Sequence, residues 1–152
     1  MPMNCDIVTQ ERLVFSGEVD YVSLPGLEGR MGILPNHSSL LTSIDYGEVM
    51  IRKDGEEQYF AVGGGFAEVQ PKQVIILADS AEQADEIDLD RAQQARESAL
   101  KAMEEGVTED SPMRYMEIQR SLQKARIRID VSRRRTGRRP RSIPGAPRQS
   151  EE

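Results

Sequence analysis

Glu48-Val49-Met50-Ile51-Arg52-Lys53-Asp54-Gly55-Glu56-Glu57-Gln58-Tyr59-Phe60-Ala61-Val62 reads as two strands joined by a tight turn. Polar and apolar residues alternate over 48–52, the period of a strand with one buried face. Asp54-Gly55 supplies the turn, because a two-residue hairpin needs positive φ at its centre. Outward from this hairpin the same grammar repeats. Ile7-Val8, Leu13-Val14-Phe15, Val19, Tyr21 and Val22-Ser23-Leu24 precede it, punctuated by Ser16-Gly17 and Pro25-Gly26. Phe66-Ala67-Glu68-Val69 and Val74-Ile75-Ile76-Leu77-Ala78 follow it, parted by Gln70-Pro71-Lys72-Gln73. Short strands at this spacing indicate an antiparallel sandwich or barrel.

From Ile87 the period changes to that of a helix. Asp88 is the expected N-cap and Gly106 the expected C′ residue, with Leu89, Ala92, Ala95, Ala99 and Ala102 on one face. Residues 108–112 break the helix. A second begins near Met113, with Tyr115, Ile118, Leu122, Ala125 and Ile129 in one stripe. Two amphipathic helices and a short loop predict an antiparallel hairpin. Its alanines bury little area each, and at about 25 cal/mol per Å² such a seam stabilises weakly and predicts a detachable hairpin. Residues 133–152, rich in Arg and Pro, read as a disordered basic tail. The expected division is therefore 1–86, 87–132 and 133–152.

Composition narrows the function classes. The 152 residues are 38% hydrophobic and 30% charged, with no Trp and three Phe, which argues against a large aromatic pocket. No apolar run approaches the roughly 18 residues of a membrane span, and the N-terminus lacks the pattern of a secretory signal. Membrane association is thus expected only through a partner. The single Cys5 has no internal partner for a disulfide. Charge is segregated: residues 1–87 hold 15 acids and 5 bases, 88–132 hold 9 and 8, and 133–152 hold 2 and 7.

No catalytic constellation is visible. His37 is the only histidine, in Pro35-Asn36-His37-Ser38-Ser39, and no positioned acid accompanies it. With one His and one Cys, no metal centre is expected. Asp85, Glu86, Asp88 and Asp90 do not have the spacing of a calcium loop and read as a solvated helix start. Gly63-Gly64-Gly65 is followed by more strand, so a bend or bulge is expected there instead of a phosphate cradle. The Arg-rich tail has two readings, a solubilising extension or a salt-sensitive, sequence-independent nucleic-acid contact.

Several of these stretches together resemble the ε subunit of bacterial and chloroplast F-type ATP synthases. They are Phe15-Ser16-Gly17 with Val19; Gly29-Arg30-Met31-Gly32-Ile33-Leu34-Pro35-Asn36-His37 with Leu40-Leu41-Thr42; Gly64-Gly65-Phe66-Ala67-Glu68-Val69-Gln70-Pro71; Val74-Ile75-Ile76-Leu77-Ala78-Asp79; and Leu122-Gln123-Lys124-Ala125-Arg126-Ile127-Arg128-Ile129. The resemblance covers residues 3–132.

The resemblance implies a ten-stranded antiparallel β-sandwich joined to a helical hairpin on the central rotor stalk. It also implies a non-catalytic subunit that binds γ and the c-ring and couples proton flow to ATP synthesis. Such a subunit sits peripherally on the cytoplasmic face of the plasma membrane, within the F1 sector. Glu28, Arg30, Met31 and His37 match the family's γ and c-ring contact loop; Arg30 stands where some relatives carry an acid. In the family the hairpin, when extended, reaches the β and α subunits and blocks ATP hydrolysis. Arg120, Lys124, Arg126 and Arg128 would then either pair with an acidic β-subunit segment or remain a solvated face. Some members bind a regulatory ATP in the folded-down hairpin, with no other cofactor. Ile87, Asp88, Arg91 and Ala92 fit that motif, Glu82 joins it, and Lys124 and Arg128 stand where those relatives carry two Arg. The rival reading is a freestanding β-sandwich binding module whose basic tail contacts nucleic acid.

Overall fold

Lys53 pairs with Glu56 across the expected turn, with Asp54 at φ 52° and Gly55 at φ 83°. The computed structural model describes residues 2–105 and 112–137, with side chains through Arg134. The hairpin it closes is formed by the two longest strands, β5 (Leu40–Lys53) and β6 (Glu56–Gln70). Around them lie β1 (Met3–Val8), β2 (Leu13–Val19), β3 (Tyr21–Gly26), β4 (Gly29–Ile33), β7 (Gln73–Ala78) and β8 (Ala81–Gln83).

The described residues form eight strands where ten were expected. β5 and β6 account for the difference, since each runs unbroken through both layers of the sandwich. Their register is constant from Leu40–Val69 to Lys53–Glu56 and lapses only between Ile44–Gly65 and Tyr46–Gly63, where Gly64 and Gly65 have φ 99° and 136°. A Cβ on Gly65 would collide with the Leu77 carbonyl oxygen. The triple glycine is therefore the fold line of the sheet, as close backbone approach requires. On one side β2, β1 and β7 join the later half of β6; on the other, β4 and β3 join the later half of β5, then early β6 and β8. Ile7, Val19 and Ile76 from the first layer and Val22, Ile33 and Phe60 from the second share one core. Pairing is not wholly antiparallel: β1 and β7 run parallel, because the chain visits the other layer before returning beside β1.

Helix α1 (Leu89–Glu104) starts where Asp88 accepts a 3.1 Å hydrogen bond from the Arg91 amide. Helix α2 spans Pro112–Gly137. Ile118, Leu122, Ala125 and Ile129 are buried along the expected stripe; on α1 only Ala92 and Ala99 are, while Ala95 stays open. Residues 133–137, read from composition as the start of a tail, continue α2. Arginine is a good helix former, and the docked side chains described below hold this last stretch. Gly106, the break at 108–111 and residues 138–152 lie outside the described residues.

Candidate functional site

Helix α2 lies on the outer face of the layer containing β5, β6 and β8. Ile127 and Val131 pack with Tyr59, Ala61, Ala84 and Ile87. The small Ala61 lets the helix approach the sheet. Beside this seam is a cleft of about 560 Å³ lined in part by Arg12, Glu82, Arg91, Ala95, Lys124 and Arg128. Four of the residues matched to the nucleotide motif, Glu82, Arg91, Lys124 and Arg128, thus meet at one opening. Three do not line it. Ile87 and Ala92 are buried, and Asp88 caps α1.

Two arginine forks occupy the cleft walls. Arg128 donates from Nε to Glu82 Oε1 at 2.7 Å and from Nη2 to Oε2 at 3.1 Å. Arg12 donates to Glu86 at 2.8 and 3.3 Å, and its hydrogen bond and charge hold the Glu86 carboxyl below its ordinary range. Glu86 also accepts from the Gln83 amide at 3.2 Å. Of the acids read as a solvated helix start, Glu86 and Asp88 therefore have defined structural partners. Lys124 and Arg91 make no side-chain ion pair among the described residues, leaving their charges available to an anion. Arg12 comes from the β1–β2 turn, and nothing local in sequence pointed to it.

The residues matched to the partner loop behave differently from one another. Glu28 is exposed and His37 half-buried, with His37 Nδ1 2.8 Å from the Ser38 carbonyl oxygen. Arg30 is held to its own sheet, donating to Ser23 Oγ at 2.8 and 3.1 Å and to the Glu48 carbonyl at 2.6 Å. Met31 is half-buried against the core. Leu27 and Leu34, exposed nearby, are apolar surface the motif did not single out. This loop is at the β4 edge of its layer and the cleft at the β8 edge, so the two surfaces occupy opposite edges.

A third surface emerges from register. Leu13 pairs with Val8, Val8 with Leu77, Leu77 with Phe66 and Phe66 with Ser43, one row across five strands. Phe66 and Leu77 are each 53% exposed, and neighbouring Leu41 is 71% exposed. The continuous Val74-Ile75-Ile76-Leu77 run contained this signal, since its second and fourth members must face away from the core.

The family described as ATP synthase, delta/epsilon chain, beta-sandwich domain matches residues 2–84. Its long alpha-helix domain counterpart matches residues 85–133. The chain belongs to the ATP synthase delta/epsilon family. The ATP synthase epsilon chain of Herpetosiphon aurantiacus is 48% identical over 138 residues, covering 91% of this chain and 99% of that one. A chain of the Euglena gracilis mitochondrial ATP synthase OSCP/F1/c-ring assembly has the same fold, with TM-score 0.63 and 20% identity over 87% of this chain and 78% of that one. A chain of the Tetrahymena thermophila mitochondrial ATP synthase central stalk and c-ring superposes with TM-score 0.60 and 13% identity, over 87% and 97%. The two delta/epsilon domains meet at residues 84 and 85, beside the change of period at Ile87. Among the described residues, no helix is long and apolar enough to cross a membrane.

Proposed function

We propose that this chain is the non-catalytic ε subunit of the F1 central stalk, binding γ and the c-ring to couple proton flow to ATP synthesis. The observation that carries this is the exposed apolar row through Leu13, Leu77 and Phe66 on a sheet whose other face is already a complete core. Surface of this kind gains free energy when a partner covers it. The β3–β4 edge, with exposed Glu28 and half-buried His37, is the second contact and faces the c-ring. Anchored this way, the subunit sits peripherally on the cytoplasmic face of the plasma membrane through the complex. Co-purification tests the reading: wild type retains a γ partner, and Phe66→Glu loses it. Retention by Phe66→Glu equal to wild type overturns the assigned surface.

The hairpin is the regulatory element, restraining ATP hydrolysis when it leaves the sheet and reaches the α and β subunits. Its thin alanine seam supports this, because two states of a switch must differ by only a few kcal/mol. Deleting residues 88–152 raises hydrolysis by the assembled complex; unchanged hydrolysis overturns the inhibitory role. The cleft bearing Arg91, Lys124 and Arg128 is a regulatory ATP site. Cations converge there for phosphate, and Glu82 supplies an acceptor. Lysine at 124 gives a point charge without a fork, so affinity is lower than with arginine there. Calorimetry of the isolated chain shows heat at millimolar ATP; its absence overturns the site.

A further inference from the structure

The last described turns of α2 cross three strands in two equal steps. Arg128 reaches Glu82 on β8, Val131 packs with Ala61 and Tyr59 of β6, and Arg134 reaches Glu48 on β5. Three residues of helix rise about 4.5 Å, close to the spacing of about 4.8 Å between neighbouring strands. The i, i+3, i+6 stripe is therefore commensurate with the sheet, with one contact per strand. An apolar contact is flanked by two charged forks.

Arg134 makes the outermost of these contacts. Its Nε donates to Glu48 Oε2 at 2.6 Å and its Nη2 to Oε1 at 3.1 Å. Its guanidinium carbon lies 5.2 Å from the centre of the Tyr59 ring. The Tyr59 hydroxyl in turn donates to Glu57. Glu48 is a prepared acceptor: its side chain is only 17% exposed, and Arg30 pins its main-chain carbonyl from the neighbouring strands. Hydrogen bonding to Glu48 raises the Arg134 pKa, consistent with a guanidinium engaged at this position. The helical family domain ends its match at residue 133, one position before Arg134.

We propose that Arg134, Glu48 and Tyr59 form a latch that holds the end of α2 on the sheet and sets how often the hairpin undocks. A fork-shaped arginine on a half-buried carboxylate is stronger than an ordinary surface pair, and the aromatic face adds to it. Lysine at 134 would preserve charge but lose both the paired hydrogen bonds and the stacking plane. The latch concerns docking of α2 alone, so it stands whether or not the hairpin binds ATP or restrains hydrolysis.

Hydrogen–deuterium exchange on the full chain tests this, with the β6 and β7 amides as an internal reference for an intact sandwich. Arg134→Ala speeds exchange in the later half of α2 by about five- to tenfold, as loss of a latched fork requires. Arg133→Ala, the same charge change at the adjacent exposed position, leaves it within about twofold, as expected of a surface charge. Glu48→Gln has an effect like Arg134→Ala, and combining the two adds little because they break one contact. High salt speeds exchange in wild type more than in Arg134→Ala, since screening acts on the fork. Equal exchange in Arg134→Ala and Arg133→Ala overturns the latch, as does full additivity of Arg134→Ala with Glu48→Gln.

Discussion

The sandwich and the hairpin hold themselves together by different means. The sandwich core joins both layers through large, fully buried side chains, among them Phe60, Met3, Ile7, Leu24 and Ile76. Between the helices, the buried cluster is Ala99, Ile118 and Leu122, supported by Ala102 and Met103. Where α2 meets the sheet, the buried cluster is Ala61, Ala84, Ile87 and Val131, bracketed by the Arg128 and Arg134 forks. Hydrophobic burial scales with area, so the sandwich is a permanent platform and the hairpin is held by a thin seam and directional charge. Charge-assisted contacts are set by geometry and weakened by salt, whereas area-based burial is not.

The contrast can be broken most forcefully at Phe60, which is fully buried and meets Phe15 edge-on at 5.9 Å. Phe60→Ala should cost about 3–5 kcal/mol in a denaturant melt of the sandwich, through lost burial and a cavity. The hairpin loses its docking surface with it, so both regions fail together. Leu122→Ala acts on the other side of the comparison. It should cost about 2–3 kcal/mol, confined to the helices and read as faster exchange there while the sandwich amides stay protected. Equal loss of protection in the sandwich would show that the regions are not separate.

Smaller effects sharpen the boundary between them. Asp88→Ala removes the cap on the Arg91 amide and should cost about 1 kcal/mol, seen as fraying of the first turn of α1. The Arg12–Glu86 pair ties the β1–β2 turn to the segment entering α1. Its hydrogen bond holds the Glu86 carboxyl below the ordinary glutamate range in the folded state. Its stabilisation is therefore present above the ordinary glutamate range and lost as pH falls through the lower folded value. Both groups are substantially exposed, so solvent screening keeps the contribution small. Glu86→Gln should remove that small acid-dependent step from a melt series; an unchanged pH profile would show that the pair does not couple the two regions.

Cys5 marks the platform's interior in another way. Burial, with help from Asp6, pushes its thiol up to about 12. A thiol held protonated and out of solvent does not react near neutral pH, which separates it from redox-active cysteines.

Much of the architecture rested on chemistry within a few residues of each position, and that part was legible in the sequence alone. Asp54-Gly55 announced its turn through the positive φ it adopts, Asp88 its cap through the orphan amides of a helix start, and Ile118, Leu122 and Ile129 their buried face through spacing alone. Glycines 63–65 marked a bend because they are followed by further strand. The site was half legible: the motif led to Glu82, Arg91, Lys124 and Arg128, but gave Asp88, Ile87 and Ala92 the same status, though they cap or pack. Long-range pairing decided the rest. Arg12 and Glu86 are 74 positions apart, and Arg134 and Glu48 are 86 apart. No local pattern encodes such partners, because they depend on which strands become neighbours and where the helix crosses them. The same holds for the outward row through Leu13, Leu77 and Phe66, which exists only once four registers align, and for residues 133–137, whose composition says tail but whose docking makes them helix.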